Sequence, residues 1–221
     1  MRPFFAENDL AGALVAATAL AAVLVEWAVT LRERTAAEPS HWRRLVLAAA
    51  TLSEVTLLRT GERRPEDRNT KWVLVSSVVA GLVLAVEAAQ HAGSLAFPGS
   101  GWTATIVGVC VIWAGILLRG WAIVTLGRFF RRDVQVAADQ AVVRTGPYAA
   151  IRHPAYTGNL LMYAGIGILL ANWGSLAALV VVPLAGHVYR IRVEEAVLAG
   201  RLGEPYREYS LGTARLIPRI W

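Results

Sequence analysis

Apolar runs long enough to cross a bilayer alternate along this chain with short polar connectors. A spanning helix needs roughly 20 apolar residues, and the run over 10–31 supplies them almost without interruption. Trp27 near its end reads as an interface anchor. Glu26 beside it faces either water or the interior of a bundle. The run is too long, and too poor in basic residues at its start, for a cleaved leader. The stretch 32–44 is polar and contains Pro39, so it is a connector. Residues 45–58 are ambiguous: they are short for a span, carry Ser53 and Glu54, and lack the one-sided apolar face of an interfacial helix. A second connector, 59–71, contains Pro65. The run 72–91 predicts a clear span, with Glu87 and Gln90 near its far end. The stretch 92–101, uncharged and holding Pro98, predicts a connector. A further span covers 102–118, its helix continuing past Arg119 toward Leu126. Apolar arms at 156–171 and 175–188 flank a tight turn at 172–174 and predict a helical hairpin.

The pattern predicts an all-α polytopic membrane bundle of five clear spans, with a possible sixth at 43–59. Residues 1–118 form the N-terminal helices. Residues 119–221 form a second part, made of a loop over 119–157, the hairpin over 156–190 and a polar tail over 191–221. The loop and tail are expected to cap the hairpin.

Composition supports a membrane protein: 56% of residues are hydrophobic, against about 45–50% in soluble domains. The net charge of +6 comes almost entirely from arginine, Lys71 being the single lysine. These arginines lie between apolar runs, so topology and anionic lipid account for them. No basic stripe carries the aromatic interleaving that nucleic-acid binding uses, which argues against that function. The connectors 92–101 and 172–174 have no basic residue, whereas 119–158 and 189–221 carry six arginines each. The positive-inside rule therefore places the polar loop, the tail and 59–71 in the cytoplasm. Charge favours five spans, because a sixth at 45–58 would put the basic connector 32–44 outside. The missing amphipathic face favours six. Cys110 is the single cysteine, so neither an intrachain disulfide nor a cysteine metal site is available. His41, His91 and His187 are scattered, and no spacing predicts a metal site. Nucleotide-binding loops, a Gly-x-Ser-x-Gly elbow and a strand–helix alternation are all missing from the sequence.

The chemistry concentrates in 126–158, the long polar passage of the chain. Gly146-Pro147-Tyr148 opens with residues suited to a tight turn, where backbone can approach a ligand closely; a plain turn before a membrane helix explains it equally. In Arg152-His153-Pro154, the proline suits the first turn of a helix. The free N–H groups there can hold an anion, and His153 can donate or accept near neutral pH. Interfacial anchoring by Arg152, His153 and Tyr156 is the alternative. Glu194 and Glu195 follow Arg190 and Arg192. Adjacent helical residues point about 100° apart, so the two carboxylates do not share one atom. One is expected to face a cation or amine and the other an arginine, unless both sit on a solvated helix end.

Order and spacing add what the single motifs lack. Leu126-Gly127 is followed by Val142-Val143-Arg144-Thr145-Gly146-Pro147-Tyr148 and Arg152-His153-Pro154-Ala155-Tyr156-Thr157-Gly158. The hairpin, Glu194-Glu195, Gly203-Glu204-Pro205-Tyr206-Arg207-Glu208-Tyr209 and Leu216-Ile217-Pro218 come next. Over roughly 112–220 this resembles the isoprenylcysteine carboxyl methyltransferase family and its phospholipid N-methyltransferase-like relatives. The resemblance implies S-adenosylmethionine bound on the cytoplasmic side and a lipophilic methyl acceptor entering from the bilayer. It maps cofactor contacts onto Val143, Gly146, Pro147, Tyr148, His153, Tyr156 and Glu194. It gives Arg152 and Glu195 catalytic roles, and implies O-methylation of a carboxylate. Eukaryotic members tend to place basic residues soon after the tail Tyr-x-x-Tyr; here Ser210 to Ala214 stand there and Arg215 follows. An NADPH-dependent sterol-reductase-like enzyme shares an Arg-His-Pro-x-Tyr-x-Gly element and is the alternative, with a phospholipid amine N-methyltransferase and a non-catalytic scaffold behind it.

Overall fold

A computed structural model describes residues 69–90, 95–98, 101–129 and 141–221. The expected span at 10–31, the ambiguous 45–58, the connector 32–44, most of 59–71 and residues 130–140 of the polar loop lie outside the described residues. The described residues are mainly helical, joined by turns and extended stretches, with isolated bridge pairings between Ala96 and Asn172 and between Ile151 and Ala214. The helices are α1 (Thr70–Gln90), α2 (Gly101–Leu126), α3 (Pro154–Leu169), α4 (Trp173–Leu202) and α5 (Glu204–Gly212).

Three of them, α1, α2 and α4, are long and apolar enough to cross a membrane. α2 runs unbroken through Arg119, and Gly127, with φ +54, leaves the helical region just after it. α3 begins at Pro154, whose missing N–H is harmless at a first helical position, and ends after 16 residues. At about 1.5 Å per residue it is ~24 Å long, shorter than the roughly 30 Å hydrocarbon core. α4 departs most from expectation. Its apolar arm ends near Val188, yet the helix continues through Arg190, Glu194 and Glu195 to Leu202, 30 residues in all. Hydropathy marks where a helix leaves lipid, while backbone hydrogen bonding ignores that boundary. The extra turns, about ten residues beyond a minimal span, carry both glutamates.

Backbones approach closely where glycines face each other. A Cβ on Gly115 would lie 2.6 Å from the Gly158 carbonyl oxygen, and one on Gly165 2.7 Å from that of Gly108. Gly108 and Gly115 on α2 thus meet Gly165 and Gly158 on antiparallel α3, two contacts seven residues apart. Lipid tails are as apolar as leucine, so close van der Waals contact between small residues drives such pairing. Ile112, Ile116, Ile166, Leu169, Leu179, Ala85 and Val86 fill the core between these helices.

The hairpin turn is held by polar bonds. Asn172 caps α4 by accepting from the Ser175 N–H at 3.0 Å, and its amide donates to the Ala88 carbonyl at 3.2 Å. The Ser175 hydroxyl donates to the Ala85 carbonyl at 2.7 Å. α4 is thereby clipped to the last turns of α1, opposite the arginine-rich end.

Candidate active site

At the arginine-rich end, the Gly146–Ala149 turn docks on the last turns of α2. Gly146 has φ +56, and a Cβ there would come within 2.9 Å of Thr125 Oγ1. Both conformation and space therefore demand glycine. Tyr148 buries its ring with Ala122 and Ala155, and Leu126 and Val143 pack around them. Val143, Gly146 and Pro147, expected as cofactor contacts, are thus seen in a hydrophobic dock that fixes Tyr148 against α2.

The next residues are extended and pair with the tail. Arg152 N–H donates to the Ala214 carbonyl at 2.8 Å, and His153 N–H to that of Arg215 at 3.0 Å. The Tyr209 hydroxyl donates to the Tyr148 carbonyl at 2.7 Å. Burial pushes the Tyr209 phenol up to about 12, so it keeps that proton at neutral pH. Arg152 fastens the assembly: its Nη1 donates to the Ser210 carbonyl at 2.6 Å and to that of Thr213. These are carbonyls at the end of α5, left over by the helix and favourable to a cation.

The two glutamates diverge as their spacing requires. Glu195 accepts from Arg152 Nε at 2.8 Å and from Arg215 Nε at 2.9 Å, with His153 Nε2 at 3.3 Å. The Glu195 and Arg152 side chains are 14% and 8% exposed. Arg152 and Glu195 are therefore partners in one buried ion pair. Glu194 turns to α3, where its Oε2 accepts from the Tyr156 hydroxyl at 2.7 Å. That same hydroxyl accepts from Arg190 Nε at 2.8 Å. A guanidinium only donates, so Arg190 fixes the direction of the phenol: its proton points at Glu194. Arg190 also reaches Thr70 Oγ1 at 3.2 Å, tying the set to the start of α1. His153 stacks on Tyr156 with ring centroids 5.5 Å apart.

Among the expected residues, the structure joins His153, Arg152 and Glu195 in one cluster and Tyr156 and Glu194 in another. The His153–Tyr156 stack connects the two. Five further residues take part that the expected site did not include: Arg190, Arg215, Tyr209, Asn159 and His187. Arg190 lies four positions before Glu194, one helical turn, which was a usable signal. Arg215 reaches Glu195 only through the bridge between tail and loop, a pairing no local pattern announces. His187 is fully buried within α4; its Nδ1–H donates to the Pro183 carbonyl at 2.8 Å and Asn159 Nδ2 lies 3.5 Å from its Nε2. An open groove of about 620 Å³ runs beside Arg152 and Arg215, walled by 210–215 and 218–221. Tyr148, His153, Tyr156 and Glu194 do not line it, so it is distinct from the Tyr156–Glu194 cluster. Among the described residues, no group of three or more His, Cys, Asp or Glu side chains is placed to hold a metal ion.

Comparison with known proteins places this geometry. The profile of the isoprenylcysteine carboxyl methyltransferase (ICMT) family matches residues 106–200. Protein-S-isoprenylcysteine O-methyltransferase A of Arabidopsis thaliana is 32% identical over 128 residues, covering 56% of this chain and 65% of that protein. The cobalt-zinc-cadmium resistance protein CzcN of Cupriavidus metallidurans is 30% identical over 128 residues, 58% of each chain. The chain thus spans less than two thirds of the length of these relatives. The solved structure of the eukaryotic intramembrane Ras methyltransferase ICMT superposes with a TM-score of 0.52 at 28% identity, over 80% of this chain and 61% of that one. The sequence match covers α3 and nearly all of α4, the helices that bear Tyr156, Arg190, Glu194 and Glu195, together with His153 at the cap of α3. By its sequence over residues 106–200 and by its helical architecture, this integral-membrane chain is similar to the isoprenylcysteine carboxyl methyltransferase family.

Proposed function

We propose that the chain is an S-adenosylmethionine-dependent methyltransferase that methylates the carboxylate of a lipophilic, membrane-borne acceptor, with the site on the cytoplasmic side. The observation that carries this reading is the Arg190–Tyr156–Glu194 relay. It holds one oxygen of Glu194 and leaves Oε1 without a hydrogen bond among the described residues. A carboxylate fixed in this way, beside the stacked rings of His153 and Tyr156, suits a ligand bearing a sulfonium and an ammonium. S-adenosylmethionine is such a ligand and, when bound, supplies an electrophilic methyl group.

The protein's own task is to bind, orient and exclude water. A carboxylate acceptor is already a nucleophile at neutral pH, so no general base is required. Arg152 and Glu195 act by position in this reading. Their ion pair locks the 150–153 segment, α5 and α4 together, and through His153 sets the ring stacked on Tyr156. The mapped contacts Val143, Gly146 and Pro147 serve by holding Tyr148 in place. Isothermal titration of purified protein in nanodiscs tests the reading. S-adenosylmethionine should bind and NADPH should not; binding of NADPH alone would instead support a reductase.

A further inference from the structure

Tyr206 carries a hydroxyl for which the described residues offer no hydrogen bond. The residue is 6% exposed and its phenol oxygen is shielded from solvent. A buried phenol without a partner is costly, and tyrosine hydroxyls usually find one. One turn further along α5, Tyr209 does so, on the Tyr148 carbonyl. The two rings share a face of the helix, with centroids 6.0 Å apart. α5 thus carries one satisfied and one orphan hydroxyl on neighbouring buried rings.

The surroundings of the orphan are those of the site. Arg152 pins the end of α5 and holds Glu195 with its other face. The Tyr206 phenol lies within electrostatic reach of Glu195, Arg152 and Glu194. Burial first, then Glu195, push its pKa above the ordinary tyrosine range, so it stays a neutral O–H. Glu195 already accepts from Arg152, Arg215 and His153. A neutral phenol can donate to a carboxylate or accept from an ammonium. The amino-acid end of a methionine-derived methyl donor presents both.

We propose that the Tyr206 hydroxyl is a direct hydrogen-bonding contact to the methyl donor, completing from the tail a site that Tyr156 and Glu194 form from the hairpin. The inference rests on the methyltransferase reading and adds a residue to it. The test is Tyr206→Phe, which keeps the ring and removes only the oxygen, with S-adenosylhomocysteine as the probe. Titration should show binding weakened about 5- to 10-fold, the worth of one neutral hydrogen bond. The melting temperature of ligand-free protein should hold or rise, because the oxygen removed has no partner among the described residues. Unchanged affinity in a variant whose wild type binds the probe overturns this contact alone. A fall in ligand-free melting temperature would assign the hydroxyl a structural partner and overturn it too, as would an effect confined to the KM of the acceptor. Failure of the wild type to bind the probe at all overturns the methyltransferase reading itself.

Discussion

Removing the Arg152 guanidinium should unfasten the tail. Arg152→Ala deletes the 2.8 Å bond to Glu195, the 2.6 Å bond to the Ser210 carbonyl and the bond to that of Thr213. Hydrogen bonds to a charged group are worth about 1.5–3 kcal/mol each, so the gross loss is large. Glu195 nevertheless keeps Arg215 at 2.9 Å and the His153 ring at 3.3 Å. Breaking a buried pair costs about 3–5 kcal/mol when one charge is left alone; the remaining arginine places the expectation at the low end, about 3 kcal/mol. Arg152→Lys should recover only part of this, since one ammonium does not reproduce a planar fork facing a carboxylate and two carbonyls. Unfolding in mixed micelles, followed by tryptophan fluorescence, measures it, and Trp221 beside Arg215 reports on the tail. A double-mutant cycle with Glu195→Gln should show coupling well above ~0.5 kcal/mol. A cost below about 1 kcal/mol, or an additive cycle, would refute the clamp.

Other outcomes follow from packing and ionisation. Gly115→Leu should separate α2 from α3, because even a Cβ would lie 2.6 Å from the Gly158 carbonyl; gel filtration and circular dichroism should show loss of the folded bundle, whereas Gly120→Ala, whose Cβ would meet no atom of another described element within 4 Å, should be tolerated. Tyr209 holds its proton to about pH 12, while an unfolded tyrosine loses it near pH 10. Its contribution is therefore complete below about pH 10 and is lost as pH rises toward 12. Tyr209→Phe should remove part of this alkaline decline and lower stability at pH 7 by about 1 kcal/mol, read from pH-dependent melting.

Much of the helical layout was legible because hydropathy reads lipid contact directly. The span expected over 72–91 corresponds to α1 within two residues at its start, and Pro154 announced the beginning of α3. The length of α4 was not legible. Its last turns are charged, and a polar helix end looks like a loop when burial is the signal. The divergence of Glu194 and Glu195 followed from helical geometry alone. Their partners did not: Tyr156 lies 38 positions from Glu194 and Arg152 43 from Glu195, brought together by the hairpin and the tail bridge. Arg152 attracted notice for its charge and motif. That its guanidinium would end α5 depends on a fold-back of residues 213–216 that periodicity does not encode.

The most direct test of the central claim follows the methyl group. Wild-type protein in vesicles, given S-adenosylmethionine with a radiolabelled methyl and a farnesylated cysteine analogue with a free carboxyl group, should yield a labelled lipophilic product. Mild alkali should then release the label as volatile methanol, because a methyl ester hydrolyses and an N-methyl amine does not. Glu194→Gln should lower the yield at limiting donor. A product whose label survives alkali, or no labelled product with any lipid carboxylate, would contradict the account.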